Sequence, residues 1–372
     1  MKSLSIIIPC LNEQDSIPFC LKKIKQVLAK ENIEKTEIIV VDNGSTDKTA
    51  EISKKHGAKV ITEKRRGYGN AVKTGMKNTT SEFIIVADGD DSYDFTELDK
   101  FIQKAREGYE FIQGCRFEKY GGKIMKGAMP FSHRYIGNPF LSFMTKIFFG
   151  IKLNDVYCGF RMYKRSVYEK NFYFGSGHEY TVESAIKFYY SAKKYIEIPI
   201  TLHKDKRTTS TSTLNTLTDG FKTLKFILLA GSQIPSLVIS LIFMFISIKY
   251  FTKFDFTFMS HMDTNLLISV VSFFTAIQFI FFSLFANVAS IYLGLKKNDF
   301  VLIIYKFLTF IRAFTISILL LIFSLLLLLN IKLQILNIGN YSLIFGLITL
   351  GISIQLIMNV LIVSILDYFK RT

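Results

Sequence analysis

The stretch Phe83-Ile84-Ile85-Val86-Ala87-Asp88-Gly89-Asp90-Asp91 decides how this chain reads. An unbroken apolar run of this length, rich in β-branched residues, predicts a strand buried on both faces. Carboxylates follow it at once, and carboxylates beside a buried strand are costly unless something neutralises them. A divalent cation shared with diphosphate oxygens is the natural neutraliser. At i and i+2, Asp88 and Asp90 can address one edge, one toward the metal and one toward a sugar or ribose. An isolated Asp-x-Asp is more often a solvated turn; its position after residues 83–87 is what raises it.

The pattern repeats outward from this point. Residues 4–8 form an apolar run closed by Pro9, and 17–29 have helical spacing. Residues 37–41 read as a buried strand ending at Asp42, and 47–56 as a helix closed by Gly57. Lys59–Thr62 and Tyr68–Lys77 continue the alternation. Short strands separated by helices of about ten residues predict an α/β fold with a parallel sheet covered on both faces. Ligands of such sheets bind beyond the carboxyl ends of the strands. Residues 9–13, 42–47 and 88–91 should therefore share one edge, where a nucleotide would lie.

The remaining sequence has a different composition. The chain has 372 residues, 49% of them hydrophobic, with 36 Phe and no Trp. Of its 46 Lys+Arg and 30 Asp+Glu, only 9 and 4 fall after residue 225. That excludes a purely soluble enzyme, a disordered chain and a repeat protein. The net charge of +16, carried mostly by the first 225 residues, suits phosphate substrates or anionic lipid. No RNA-binding pattern or zinc spacing is present, so no nucleic-acid partner is expected. Cys10, Cys20, Cys115 and Cys158 form no C-x-x-C and read as reduced structural thiols. Residues 4–8 are too short for a signal core, which puts the membrane address in the C-terminal part. Four stretches there reach the length of a spanning helix: 226–248, 266–295, 300–329 and 341–366. Pro235 is expected to kink the first. Lys222, Lys225, Lys296, Lys297, Lys370 and Arg371 weight one side of this arrangement with positive charge. That side carries the N-terminal domain, so the domain and the C-terminus are expected in the cytoplasm of a multi-pass cell-membrane protein.

Three motifs in order carry a resemblance. Ser5-Ile6-Ile7-Ile8-Pro9-Cys10-Leu11-Asn12-Glu13, Val40-Val41-Asp42-Asn43-Gly44-Ser45-Thr46-Asp47 and Ala87-Asp88-Gly89-Asp90 resemble those of family-two inverting glycosyltransferases, whose catalytic domain is GT-A, Rossmann-like. The resemblance implies a nucleotide-sugar site drawing on Pro9, Asn12, Glu13, Asp42 and Asp88, and Mg²⁺ or Mn²⁺ held by Asp88 and Asp90. Arg66-Gly67-Tyr68-Gly69-Asn70-Ala71 is similar to the glycine-containing donor loop of dolichol-phosphate mannose synthases and their bacterial polyprenyl-phosphate relatives, which adds Gly69. On its own that G-x-G also reads as a plain helix start. Gly114-Cys115-Arg116-Phe117, the stretch from His133 to Asn138, and the stretch from Asp155 to Arg161 resemble the same branch. The resemblance further implies that Arg207 lies in a loop closing over the diphosphate.

The middle region has its own physics. Asn138-Pro139 predicts a helix start, with Asn as cap and Pro in the first turn. The following helix has Ile136, Phe140, Phe143 and Ile147 on one stripe, which reads either as core or as a face turned to the membrane beside an acceptor site. Arg134 before it, and Arg116, would grip a lipid phosphate, with Asn138 alongside. Leu214, Leu217, Phe221 and Leu224 form a second stripe. The expected organisation is therefore a GT-A domain over 1–210, a juxtamembrane amphipathic helix over 211–225, and a four-helix transmembrane domain over 226–372.

The expected reaction moves one hexose, mannose or glucose, from a nucleoside diphosphate to a polyprenyl phosphate with inversion. Asp88, Asp90, Arg116, Arg134 and Asp155 are the expected catalytic residues. A phosphate acceptor is already ionised, which makes Asp155 a sugar-positioning group. A hydroxyl acceptor such as diacylglycerol would instead promote Asp155 to base. A lipid-linked sugar transporter with a nucleotide-binding domain is the rival from another class.

Overall fold

The computed structural model describes residues 1–208, 216–253 and 264–295, with isolated residues at 315, 318–320, 322 and 348–355. The chain divides into two compact units. The first is residues 1–227 with 293–295, and the second is 228–292 with 296–372.

The first unit is built on a seven-stranded sheet. Its strands are β1 (Ser3–Cys10), β2 (Lys35–Asp42), β3 (Lys59–Thr62), β4 (Phe83–Val86), β5 (Phe111–Cys115), β7 (Arg161–Lys164) and β8 (Tyr195–Pro199), in the order β3-β2-β1-β4-β7-β5-β8. A small second sheet pairs β6 (Lys123–Ile124) with β9 (Thr201–Leu202). Helices α1 (Ile17–Leu28), α2 (Thr49–Lys55), α3 (Tyr68–Lys77), α4 (Leu98–Arg106), α5 (Asn138–Phe149), α6 (Arg165–Glu169) and α7 (Glu179–Ser191) belong to the unit, and α8 (Thr216–Gly231) begins in it and continues into the second.

Strands β1 to β4 pair in parallel, as the alternation predicts. The all-parallel expectation fails at β7, which runs antiparallel between β4 and β5. Strand β7 hides from an apolar-run search because it carries a charge. Arg161 is buried, and its guanidinium donates to the Thr181 carbonyl, Ser184 Oγ and the Cys158 carbonyl. Leu4, Ile6 and Ile8 enter one core with Ile17, Leu21, Phe101 and Phe160. Each fully buried aliphatic or aromatic side chain of this kind is worth about 1.5–3 kcal/mol. On the opposite face α3 lies directly on the sheet. A Cβ at Gly75 would come within 2.5 Å of Ile7 Cγ2, so only glycine allows that approach. All four cysteines are buried and free.

In the second unit α9 (Gln233–Phe251) and α10 (Thr264–Tyr292) pack on each other. Among the described residues, Gln233–Phe251 and Ile268–Ile291 are long and apolar enough to cross a membrane. Only 17% and 22% of their most apolar windows are buried, unlike a soluble core helix. The expected first stretch, 226–248, is not one helix. Helix α8 ends at Gly231 and α9 begins at Gln233. Pro235 therefore kinks nothing: it sits in the first turn of α9, where its missing N–H has no intrahelical partner to lose. Buried Ser247 and Ser269 bond each other across the α9–α10 pair, the Ser247 hydroxyl to the Ser269 carbonyl at 2.9 Å and the reverse at 3.0 Å. The stretches at 300–329 and 341–366 lie almost wholly outside the described residues.

Candidate active site

Three strand ends build one edge of the first unit. After β1 the chain turns sharply, with Asn12 at a φ of +58°. Its Oδ1 accepts from the Thr46 N–H at 2.8 Å, and its own N–H donates to Ser45 Oγ at 3.0 Å. After β2, Asp42 Oδ1 accepts from the Ser45 N–H at 3.0 Å, closing the turn that Asn12 clasps. Asn43 joins this turn to the glycine loop: its Nδ2 donates to the carbonyls of Glu63 and Arg65, and its Oδ1 accepts from the Gly67 N–H at 2.7 Å. After β4 come Asp88, Gly89, Asp90 and Asp91, with Asp91 also in the left-handed region, at φ +59°.

The glycines of the Arg66–Asn70 loop are there for packing. A Cβ on Gly67 would lie 2.2 Å from the Ser176 carbonyl oxygen, and one on Gly69 2.5 Å from that of Gly175. The segment before α7 is thus pressed onto the loop. Glu183 holds it from below by accepting from the N–H groups of Phe174 and Gly175, with Lys187 as its buried partner at 2.7 Å. The contact also stacks Tyr68 on His178, with ring centroids 5.5 Å apart and planes within 17°.

These parts surround a cavity of about 870 Å³. Of the residues expected from sequence, Pro9, Glu13, Asp88, Asp90, Arg116, Asn138 and Arg207 line it. Its other walls include Asn43, Arg66, Tyr68, Tyr93, His133 and His178. Asn43, Arg66, Tyr68 and His133 lie inside the motifs quoted above, which gave them no role of their own, whereas Tyr93 and His178 lie outside those motifs and reach the cavity through contact across the chain.

The remaining expected residues lie elsewhere, each for a visible reason. Asn12 and Asp42 spend their side chains on the turns described above. Gly69 faces Gly175 and Tyr180 rather than the cavity. Asp155 is fully buried inside the wall: its carboxylate accepts from the Arg116 N–H at 3.0 Å, Nε at 2.7 Å and Nη2 at 2.8 Å. Arg134 pairs with Glu118 and lines a different cavity. Asn138 does not cap a helix. A π turn, His133–Gly137, runs straight into α5, and Asn138 sits in helical backbone with its N–H donating to the His133 carbonyl. Its side chain reaches Met129 Sδ at 3.5 Å.

The acidic corner is electrostatically unusual. Asp88 is held up at about 7, first by burial and then by the charge of Asp90. Among the described residues no hydrogen bond or ion pair serves its carboxylate. Asp90 Oδ1 accepts from the Ser92 N–H at 3.0 Å and Oγ at 2.6 Å, and its Oδ2 lies 3.3 Å from Arg207 Nη1. Burial also raises Glu13, against the pull of Arg207, which grips it through two nitrogens. Residues 203–208 cross this corner as a strap. The His203 N–H donates to the Ser92 carbonyl at 2.7 Å and the Lys206 N–H to that of Asp90 at 3.1 Å. Lys206 pairs with buried Asp91 at 2.9 Å. A partly exposed carboxylate that lacks a donor and faces a second one has the chemistry of a divalent-cation ligand set. The residues present fit the expected metal on that ground, although no group of three or more such ligands occurs among the described residues.

An α/β sheet with acidic turns at its carboxyl edge carries its ligand-binding groups beyond the strand ends. Residues 5–172 match Glycosyl transferase family 2. The low-salt glycan biosynthesis hexosyltransferase Agl6 of Haloferax volcanii is 31% identical over 227 residues, 61% of this chain and 53% of that one. The dolichyl-phosphate hexose transferase of the same organism is 31% identical over 166 residues, 44% of this chain and 67% of its own. Glucosyl-3-phosphoglycerate synthase from Mycobacterium tuberculosis, solved with Mn²⁺, uridine diphosphate and glucosyl-3-phosphoglycerate, aligns at 15% identity over 64% of this chain and 79% of that one, with a TM-score of 0.45. The chain belongs to glycosyl transferase family 2, and its α/β unit is that family's GT-A domain. It spans about half the length of several curated relatives it matches.

Proposed function

We propose that the protein transfers one hexosyl group from a nucleoside-diphosphate sugar to a polyprenyl phosphate at a membrane surface. The observation that carries this is the Asp88 carboxylate, which has no donor among the described residues and lines a cavity that also holds Arg116, His133 and Asn138. Asp88 and Asp90 would hold Mg²⁺ or Mn²⁺, which would offset charge growing on the departing diphosphate. Pro9, Glu13 and Arg207 form the donor side, and Asn12, Asp42 and Gly69 act on it indirectly by fixing the loops.

The acceptor chemistry follows from Asp155. A hydroxyl acceptor needs a base, and the candidate base is buried and spent on Arg116. A phosphate acceptor brings its own charge and needs only to be held in line opposite the leaving group, with inversion. Arg116 and Asn138, joined by His133, are placed to do so. Asp155 keeps the Arg116 guanidinium oriented. The relative named as a dolichyl-phosphate hexose transferase supports a lipid phosphate. Mannose and glucose both remain within the reading, as do uridine and guanosine donors.

Membrane attachment is assigned to the segment from α9 onward, with α8 beside the bilayer. The catalytic unit and C-terminus are assigned to the cytoplasmic side by the basic residues around the spans. The organisation proposed is a catalytic part over 1–210, a juxtamembrane part from 211 to the end of α8 at Gly231, and a membrane part from α9 at Gln233 onward. The test is to incubate membranes with undecaprenyl phosphate and a panel of labelled nucleotide sugars. A chloroform-soluble, acid-labile hexosyl lipid from one donor is the expected result. Label appearing only on diacylglycerol would overturn it.

A further inference from the structure

The π turn that brings His133 and Asn138 to the catalytic cavity sends its neighbours to another one. Arg134 and Tyr135, with Ser142, Phe143 and Lys146 of α5, line a second cavity of about 360 Å³, closed by residues 117–120 after β5. Three cations, Lys119, Arg134 and Lys146, border it against one carboxylate, Glu118. Glu118 is more than half exposed, with its side chain 58% accessible, so its pairing with Arg134 is a weak competitor. Lys146 lies over the Tyr120 ring at 5.6 Å and donates to Asn154.

Ser142 supplies an independent sign of a ligand. It is 2% exposed, lines the cavity, and its hydroxyl has no hydrogen-bond partner among the described residues. A helical Ser or Thr ordinarily bonds back to the preceding turn. Thr145 on the same helix does this, donating to the Leu141 carbonyl at 2.7 Å. A buried hydroxyl without a partner is costly unless a ligand completes it.

The mouth of this cavity is apolar. Ile136, Phe140, Phe143 and Ile147 are 62%, 48%, 58% and 49% exposed, so the aromatic stripe is no core face. Phe143 belongs both to that stripe and to the cavity wall. A basic pocket with a buried donor, bordered by exposed aromatic and aliphatic side chains, matches an anionic head group with its chains attached. A free phosphate would leave the apolar border unused.

We propose that this second cavity seats the phosphate of an anionic glycerophospholipid, whose acyl chains run along the Phe140–Phe143–Ile147 face. Arg134 and Lys146 neutralise the phosphate, and Ser142 donates to it. The site fixes the height and rotation of α5 at the bilayer, and so positions His133 and Asn138 on the other side of the π turn. This rests on the reading that the protein works at a membrane surface.

The test uses the absence of Trp from the chain. Phe143→Trp in the full-length protein gives a single fluorophore at the cavity mouth. The protein is reconstituted in phosphatidylcholine nanodiscs doped with brominated phosphatidylglycerol or brominated phosphatidylcholine. Half-maximal quenching is expected at about tenfold lower mole fraction for phosphatidylglycerol, the effect of a charge-assisted phosphate contact. Adding Arg134→Gln with Lys146→Gln should bring the two lipids together, whereas adding Glu118→Gln should widen their separation. Equal dose dependence in the Phe143→Trp protein, or a preference surviving the double substitution, would overturn the site. Undecaprenyl phosphate relieving the quenching at equal mole fraction would give the cavity to the acceptor and overturn the phospholipid assignment. Failure of the membrane reading shows separately, as no quenching by either lipid. Failure of the transfer reading shows only in the labelled-sugar assay.

Discussion

Asp155 and Asp88 are two carboxylates of the same cavity wall that have met opposite fates. Asp155 is sealed in, and the backbone and guanidinium of Arg116 saturate its oxygens. Asp88 is partly open to the cavity, faces a second carboxylate, and is raised to about 7 by burial and that neighbour. A buried charge with its partner in the chain is part of the scaffold. One without a partner stores a cost that a bound cation releases. The difference separates holding from reacting more cleanly than sequence position does, because both residues follow apolar or turn segments of similar appearance.

The comparison breaks first on activity. Asp88→Asn should lower transfer by about a thousandfold, the loss of several kcal/mol of charge stabilisation on the leaving group. The same change should leave the metal-free protein at least as stable as wild type, because it removes an unpaired charge. A fall in melting temperature together with full activity would reverse the two roles. Asp90→Asn should also abolish transfer, and chelator should mimic it until Mg²⁺ or Mn²⁺ is restored.

Asp155→Ala should show the opposite profile. It strands the Arg116 guanidinium in the wall and should cost about 3–5 kcal/mol of stability. Denaturant unfolding of the detergent-solubilised protein measures this. A variant of wild-type stability would mean that Arg116 turns into the cavity and finds an anion there.

A smaller effect follows from protons at Asp88. Its folded-state value lies above the ordinary carboxylate value, so the folded protein holds a proton that the unfolded chain has lost. Stability of the metal-free protein should therefore fall as pH rises from about 4 to about 7 and level off above that. A divalent cation competes with that proton. The gain in melting temperature on adding Mg²⁺ should thus be larger at pH 8 than at pH 5.5. An equal gain at both pH values would place the cation elsewhere.

The smallest effect belongs to the turn. Asp42→Ala removes one hydrogen bond to the Ser45 N–H and should cost about 0.5–1.5 kcal/mol. The Michaelis constant for the donor should rise severalfold while that for the acceptor stays put. A change confined to the acceptor constant would detach this turn from the donor side.

Local chemistry made much of this protein legible. Apolar runs ending in Pro9, Asp42 and Asp88 marked three parallel strands and the edge on which the cavity opens, because a strand buried on both faces leaves its polar residues only at its ends. The i, i+2 carboxylates Asp88 and Asp90 marked the position proposed for the metal for the same reason. The apolar stripe on α5 was visible as a period, but whether it was core or surface was not, since both environments select the same residues. What only tertiary structure decided concerns charges and their partners. Arg161 hides β7 because the α7 partners that make its burial tolerable, Thr181 and Ser184, lie 20 and 23 residues further along the chain. Asp155 reads as a sugar-positioning group or a base until Arg116, 39 residues away, is seen to saturate it. Arg134 and His133 are adjacent, yet a single π turn sends them to different cavities. The energy of a charged or polar group depends on which donors or acceptors surround it, and for these residues decisive partners lie on other elements, where no local pattern records them.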